Sequence, residues 1–298
     1  MKAILIFGGT GFLGNNLVKF LLKKNLKIIV YKHKNMGVFL NKHFNNLIYI
    51  NSLNKKILKK YEIQTIFHLA TKTFNLSEKF EDFYKTNILL TKNIIELAKY
   101  LKINQFIYIS TGSVFSKKTH SGIFDESSIP TPNSYYGLFK YMTEKLIEIE
   151  LKKTQIKNCI IRFPSIFGIN NNVGIVNEFY NLAKHNKPIK VFNNGQKLRN
   201  LIHVSSAVEI LYLIYKKKSK LSKHEIFMAG SKEELKLLDI VRLLIRFTKS
   251  RSKVILIKKS SPSDFDVKIS NLKAKKLLGF KPLSIKAGLK KYIKEYEK

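Results

Sequence analysis

Six short apolar runs, at residues 3–7, 27–31, 46–50, 65–70, 105–110 and 158–163, constrain this chain more than any other feature. Most lack polar alternation, so they read as strands buried on both faces. Between them lie longer stretches with helical spacing, such as Phe12 to Lys24 and Tyr84 to Lys102. The latter keeps Ile88, Leu89, Ile95 and Leu97 on an apolar face. Such alternation folds as right-handed βαβ units, with a parallel sheet covered by helices on both sides. The expected class is α/β, a Rossmann-type doubly wound sheet. After about residue 165 the rhythm loosens. Asn170-Asn171-Asn172 and Asn193-Asn194-Gly195 mark loops, a strand–helix stretch runs through Val204 to Tyr215, and a Lys-rich helical tail follows. The expected organisation is a dinucleotide-type sheet domain over 1–165, rejoined by a segment near 196–220. A smaller, interleaved C-terminal lobe takes 166–195 and 221–298.

Composition sets the limits. A chain of 298 residues with 45% hydrophobic content can bury a large core. Its 55 Lys and Arg against 20 Asp and Glu give a net charge of +35. Two readings follow: lysine drift over the whole surface, or a site for a polyanion. The lysines occur in scattered pairs, such as Lys23-Lys24, Lys55-Lys56 and Lys275-Lys276, and a nucleic-acid footprint needs clustering. No specific nucleic-acid partner is therefore expected. The single cysteine, Cys159, excludes an internal disulfide and reads as a buried strand residue in Cys159-Ile160-Ile161. The seven histidines lack metal-ligand spacing, so no metal is expected. No run approaches a membrane span and no signal-peptide core is present, which points to a cytoplasmic protein without membrane contact.

The first strand runs straight into "GGTGFLG", Gly8 to Gly14. Gly8, Gly11 and Gly14, or Gly9, Gly11 and Gly14, satisfy the spacing that lets a strand turn sharply into a helix. That turn lets backbone approach a pyrophosphate at the helix N-terminus. Its place at the head of a βαβ unit makes it a dinucleotide-binding turn, with Gly8, Gly11, Phe12, Leu13 and Gly14 against the cofactor. Where the second strand ends, an acid commonly binds the ribose of NAD. This chain has Tyr31, Lys32, His33 and Lys34 instead. The missing carboxylate and the cations favour NADP(H) over NAD(H), with Lys32 as the nearest cation.

A hydroxyl cluster, "STGSVFS" from Ser110 to Ser116, ends the strand at 105–110, and "SYYGLFKYMTEKL" follows from Ser134. Tyr136 and Lys140 are four apart and share one helix face. A lysine ammonium beside a phenol, with the positive oxidised nicotinamide, stabilises a phenolate; each unit of lowering needs about 1.4 kcal/mol. Thr111 supplies a hydroxyl for the substrate oxygen, and Ser113 lies next to it. The catalytic trio is thus Thr111, Tyr136 and Lys140, doing acid–base work while a nicotinamide exchanges hydride, with Tyr136 and Lys140 also expected against the cofactor. Tyr135 has Phe139 four residues on and lacks a cationic partner.

With these motifs in place, the chain resembles the extended short-chain dehydrogenases/reductases of the NAD-dependent epimerase/dehydratase family, which act mainly on nucleotide-activated sugars. "FHLA" (Phe67 to Ala70) resembles that family's fourth-strand cofactor segment, implying contacts from Leu69 and Ala70. Asn87 matches its helix asparagine, and "RFPSIFG" (Arg162 to Gly168) its Arg-x-x-Asn-Val-Tyr-Gly stretch. "NGQKLRNLIHVSSA" (Asn194 to Ala207) resembles its Gly-x-x-x-Arg-Asp-Phe-Ile-His-Val-Asp-Asp segment, and "SNLKAKKLLGFKP" its C-terminal signature. By that match Arg199 grips the substrate diphosphate, a role that suits a guanidinium. The smaller lobe is then the substrate-binding one, and the family implies a homodimer through the helices at 84–102 and 134–153.

The departures bear on the reaction. Ser165, Asn200, Ser205 and Ser206 stand where Asn, Asp, Asp and Asp are usual, and Asn51 and Ser52 where an acid often meets the adenine. Family dehydratases carry Asp-Glu directly after the catalytic threonine; Gly112 and Ser113 occupy those places here. Cys159 is no candidate for the cysteine that combined epimerase–reductases add. Simple redox at C4 of the sugar remains, and the cations at the end of the second strand favour a 4-ketoreductase in which Tyr136 gives the proton; the alternative is a 4-epimerase that retains NAD. A non-catalytic dinucleotide-binding protein with a basic nucleic-acid surface is the rival of another class. His203 and His68 read as structural histidines. Glu126 in "FDESS" is either an ordering acid for the substrate loop or a solvated one.

Overall fold

The computed structural model describes residues 2–32, 44–73, 79–116, 122–259 and 266–297. Its strands are β1 (Ala3–Phe7), β2 (Lys27–Tyr31), β3 (Leu47–Ile50), β4 (Ile63–His68), β5 (Gln105–Thr111), β6 (Lys157–Phe163), β7 (Ser165–Phe167), β8 (Ile189–Phe192), β9 (Leu198–Arg199), β10 (Leu201–His203), β11 (His224–Met228), β12 (Leu235–Lys236) and β13 (Val254–Ile257). The α-helices are α1 (Phe12–Leu22), α2 (Lys55–Lys59), α3 (Phe80–Phe83), α4 (Leu90–Tyr100), α5 (Tyr135–Leu151), α6 (Ile175–Lys184), α7 (Val204–Lys216), α8 (Leu237–Phe247), α9 (Leu272–Leu278) and α10 (Ile285–Tyr296). A π-helical stretch, Tyr84–Leu89, joins α3 to α4.

Seven strands form one parallel sheet in the order β11-β6-β5-β4-β1-β2-β3. The chain reverses direction between β1 and β4, the crevice where open α/β sheets bind ligands. Strand β1 shows why both faces are covered. Ile4 and Ile6 pack into one core with α1 and α7, while Ala3, Leu5 and Phe7 enter a second core with α2, α4 and α5. An isolated helix as short as α1 is marginal in water, below about 12–15 residues. Its buried Leu17, Val18, Leu21 and Leu22 hold it on the sheet, each full burial contributing about 1.5–3 kcal/mol. A third core brings together α6, β8, α8 and α10 around Phe179, Val191, Leu244 and Tyr292.

The six sequence runs all lie on strands of this sheet, with informative shifts. Strand β3 is half-buried at all four residues, since it forms the sheet edge. The fourth run begins at Ile63 and ends at His68, so Leu69 and Ala70 have left the strand. The helix read over Tyr84 to Lys102 starts at Phe80 and passes through the π-helical turn. Strand β11 corrects the expected boundary: it lies in 221–298, assigned to the smaller lobe, yet pairs with β6 in the large sheet. Phe227 and Met228, fully buried there, supply the reason.

Candidate active site

Glycines 8 to 14 divide by what the fold requires of them. Gly8 has φ +78°, and a Cβ there would stand 2.7 Å from the Ala70 nitrogen. A Cβ on Gly14 would lie 2.0 Å from the Gly8 carbonyl oxygen. Both side chains are impossible without moving backbone. Gly11 is different: its φ is −77°, and a Cβ would meet only the Gly8 oxygen, at 3.4 Å. The fold therefore leaves space in front of Gly11 that it does not itself fill. Helix α1 begins at that point with no side-chain cap and no acid in its first turn. An uncapped N-terminus with its positive dipole end suits a phosphate, so Gly11, Phe12 and Leu13 can hold a dinucleotide's diphosphate. The Leu69 amide donates to the Phe7 carbonyl at 2.9 Å, which seats Leu69 and Ala70 beside the same turn. Lys32 follows β2 half-buried, its amide donating to the Ile50 carbonyl at 2.9 Å. His33 and Lys34 lie outside the described residues.

The second half of the site is made where β5 meets α5. Thr111 ends β5 in extended backbone, and its hydroxyl accepts from the Ser113 amide at 3.1 Å. Helix α5 starts at Tyr135, capped by Ser134, whose hydroxyl accepts from the Gly137 amide at 3.2 Å. A Cβ on Gly137 would stand 2.1 Å from the Ser113 carbonyl oxygen, so only glycine lets the helix ride so close to the turn. That approach brings Tyr136 into a hydrogen bond with the Thr111 side chain. Burial raises the Tyr136 phenol above its ordinary value, and the Thr111 hydrogen bond opposes the rise. The phenol therefore holds its proton at neutral pH in this state.

Lys140, one turn further, is 1% exposed. Its ammonium donates to the Ile109 carbonyl at 2.5 Å and lies 4.4 Å above the Tyr108 ring. Burial pulls it down to about 7, with Glu144 opposing. Thr111, Tyr136 and Lys140 are thus gathered at the C-terminal end of β5, an interior strand of the sheet, with Ser113 hydrogen-bonded to Thr111. Tyr135 is 49% exposed and turns towards Phe80 and Phe83 instead.

Neutral groups surround this corner. His68, fully buried, is pushed down to about 3 by burial and by the Lys140 charge, and shares a 2.8 Å hydrogen bond with Thr91. Burial lifts the Tyr108 phenol well above its usual range. Asn87, within the π-helical stretch, accepts from the Thr71 hydroxyl at 3.1 Å and the Lys72 amide at 2.9 Å. It fixes the segment that leaves β4.

Arg199 lies half-buried on β9, which pairs antiparallel with β12, and its guanidinium donates to the Leu198 carbonyl at 2.9 Å. The residue after it explains one sequence departure. Buried Asn200 accepts from the Ser231 amide at 2.8 Å and donates to Glu234 at 3.1 Å. An aspartate would face the Glu234 carboxylate there and lose the donor. The Ser206 hydroxyl accepts from the Leu283 amide at 3.0 Å. His203 is structural: its Nδ1 accepts from the Ser205 amide and caps α7. Glu126 accepts from the Met228 amide at 2.7 Å, which ties its loop to the end of β11.

Sequence reading missed one buried cluster. Glu144, 2% exposed, is gripped by Arg162 from β6, with Nε to Oε1 at 3.1 Å and a terminal nitrogen to Oε2 at 2.7 Å. The Ser110 hydroxyl also donates to Glu144. The available signal was spacing: Glu144 stands four residues beyond Lys140 on the same face of α5.

Comparison with known proteins identifies the chain's relatives. The model of the NAD-dependent epimerase/dehydratase family matches residues 4–230. A dTDP-D-glucose 4,6-dehydratase of Dictyostelium discoideum is 28% identical over 278 residues, 83% of this chain; the chain spans 62% of that relative's length. A Methanocaldococcus jannaschii protein provisionally assigned as a UDP-glucose 4-epimerase is 26% identical over 307 residues, covering 97% of each. The solved structure of a Bacillus cereus UDP-glucuronic acid 4-epimerase, in complex with UDP-glucuronic acid and NAD, superposes with a TM-score of 0.85. It is 25% identical and covers 99% of both chains.

Proposed function

The chain belongs to the NAD-dependent epimerase/dehydratase family of enzymes, and on that premise we propose that it is a nucleotide-sugar 4-epimerase working through NAD. The observation that carries this reading is the meeting of Tyr136, Thr111 and Lys140 at the C-terminal end of β5. Gly112 and Ser113 after Thr111 speak against elimination, and the Bacillus cereus 4-epimerase, matched over 99% of both chains, favours epimerisation. When bound, a nicotinamide supplies hydride transfer to and from the sugar carbon.

The chain's own residues do the rest. Gly11, Phe12 and Leu13 hold the diphosphate at the start of α1, with Gly8 and Gly14 shaping the turn and Leu69 and Ala70 flanking it. Tyr136 removes the proton from the C4 hydroxyl as the carbon is oxidised, and returns it when the carbon is reduced on its other face. Thr111, with Ser113 beside it, hydrogen-bonds the same sugar oxygen and holds it within reach of the phenol. Lys140 supplies the positive charge that favours the phenolate. Arg199 binds the substrate diphosphate from the smaller lobe.

A second reading is a 4-ketoreductase that takes hydride from NADPH, with Tyr136 as proton donor. It is favoured by the end of β2, where Tyr31 and Lys32 stand without a carboxylate. Titration of the purified protein with NADH and NADPH, after assay of any cofactor released on denaturation, separates the two. Retained NAD supports the epimerase. Micromolar binding of NADPH with weaker NADH and no retained cofactor supports the reductase. Binding of neither dinucleotide overturns both.

A homodimer is part of this proposal. Phe80, Tyr84 and Leu89 on one helical segment and Leu138, Met142 and Ile149 on α5 are large apolar side chains left exposed. A second copy packed on these faces covers them, which sedimentation equilibrium tests. Among the described residues no helix is long and apolar enough to cross a membrane; a cytoplasmic location belongs to the same proposal.

A further inference from the structure

Lys140, Glu144 and Arg162 are three buried charges on the elements that carry the acid–base trio, with Arg162 and Glu144 in direct contact. Helix α5 supplies Lys140 and Glu144, one turn apart. Strand β5 supplies the Ile109 carbonyl to Lys140 and the Ser110 hydroxyl to Glu144, immediately before Thr111. Strand β6 supplies Arg162, which holds both carboxylate oxygens of Glu144. All three charged side chains are at most 3% exposed.

We infer that Glu144 is the counter-ion on which the charge of Lys140 depends, with Arg162 competing for it, so that this ion pair sets how much positive charge stands beside Tyr136. Glu144 and Arg162 are positioning residues, acting through Lys140. The inference rests on the roles of Tyr136 and Lys140 proposed above.

The alternative sources of charge can be checked element by element. From β4, His68 faces Lys140 and is held neutral. From β5, Tyr108 lies under the ammonium and is also neutral at ordinary pH. From β11, His224 feels Glu144 and is pushed below its usual value by burial. From α5 itself, Tyr136 keeps its proton, and Lys145 is paired outward with Glu148 at 2.9 Å. From β6 comes Arg162 alone. Among these groups Glu144 is the one anion turned inward, against two buried cations.

A buried charge without a partner is costly, and a lysine in that position gives up its proton where an arginine does not. Replacing the carboxylate by an amide leaves Lys140 and Arg162 facing each other across a neutral group. Lys140 is the one that yields. Removing Arg162 instead leaves Glu144 wholly to Lys140, which then keeps its proton to higher pH.

The test follows Lys140 directly. In protein labelled with carbon-13 at the lysine Cε, the Lys140 resonance, expected to titrate near pH 7, is assigned by its absence from Lys140→Met. Glu144→Gln is expected to move that midpoint down by one unit or more, a tenfold change in the proton equilibrium. Arg162→Gln is expected to move it up by a similar amount, and Glu144→Gln/Arg162→Gln to return it towards wild type. Should Glu144→Gln fail to fold, the Arg162→Gln shift and the double variant still decide. An unchanged midpoint in the variants that fold would reduce the pair to a structural clamp and overturn the inference. The titration needs neither cofactor nor substrate, so an inability to bind dinucleotide would sink the proposed function and leave this comparison standing.

Discussion

The Ser113 carbonyl oxygen occupies the place where any side chain on residue 137 would begin, 2.1 Å from a Cβ built on Gly137. This contact sets the height of α5 over the end of β5, and with it the hydrogen bond between Tyr136 and Thr111. Gly137→Ala must push the helix away. Overpacking of this kind costs about 1–3 kcal/mol. The expected result is a lower melting temperature and a turnover reduced at least tenfold, while dinucleotide affinity, governed by a turn on another element, stays within a small factor. Equal loss of affinity and turnover would show that the contact does not act through Tyr136.

Gly11 and Gly14 are expected to separate binding from folding. Gly14→Ala places a methyl 2.0 Å from the Gly8 oxygen and should destabilise the whole sheet domain. Gly11→Ala meets only a 3.4 Å contact, so its thermal melt should match wild type while the Kd for dinucleotide rises tenfold or more. Wild-type affinity in folded Gly11→Ala would mean that no phosphate approaches there.

Tyr136→Phe removes the proposed proton carrier and keeps the ring. Turnover should fall by about 10²–10⁴, the usual contribution of a general acid or base, with cofactor binding retained. Tyr135→Phe, on an exposed side chain facing Phe80 and Phe83, should be close to neutral. A steady-state assay of the two variants side by side checks this, and a larger loss in Tyr135→Phe would reassign the acid–base role.

Buried histidines make a prediction for stability against pH. His68 falls from 6.5 to about 3 on folding and His203 to about 4, both chiefly through burial, and His224 moves the same way. Between these values and 6.5 the unfolded chain binds protons that the folded protein refuses. Above pH 6.5 these histidines are neutral in both states and leave stability unchanged. Below it stability falls, His68 and His203 each removing about 1.4 kcal/mol per pH unit and His224 acting in the same direction. Urea unfolding at pH 7 and about pH 5, above the range where carboxylates dominate, should show the decline. His68→Gln, which keeps a partner for Thr91, should flatten the slope by one proton. A wild-type stability that does not change across this interval would contradict the assigned histidine states.

The sheet and the glycine turn were legible in the sequence because both are local statements. An apolar run read along β1 or β6 announces a strand covered on both faces, and Gly8 to Gly14 can only be a strand-to-helix turn. Tyr136 and Lys140 were legible through helical spacing. Glu144 and Arg162 were not, since their pairing joins a helix to a strand 18 residues away and neither residue's own surroundings name its partner. Strand β11 escaped for a similar reason: nothing within His224 to Met228 says that it adds to the far side of β6. Asn200 read as a lost acid until Glu234 was seen beside it.

The most direct measurement is single-turnover mixing of the NAD-loaded protein with a panel of nucleotide sugars, following the absorbance of the reduced nicotinamide. The account predicts that at least one UDP- or dTDP-hexose gives a transient reduced signal in wild type and that Tyr136→Phe abolishes it with NAD still bound. A protein that holds NAD and the nucleotide sugar together yet never reduces the nicotinamide, or one in which Tyr136→Phe reduces it as fast as wild type, would contradict the account.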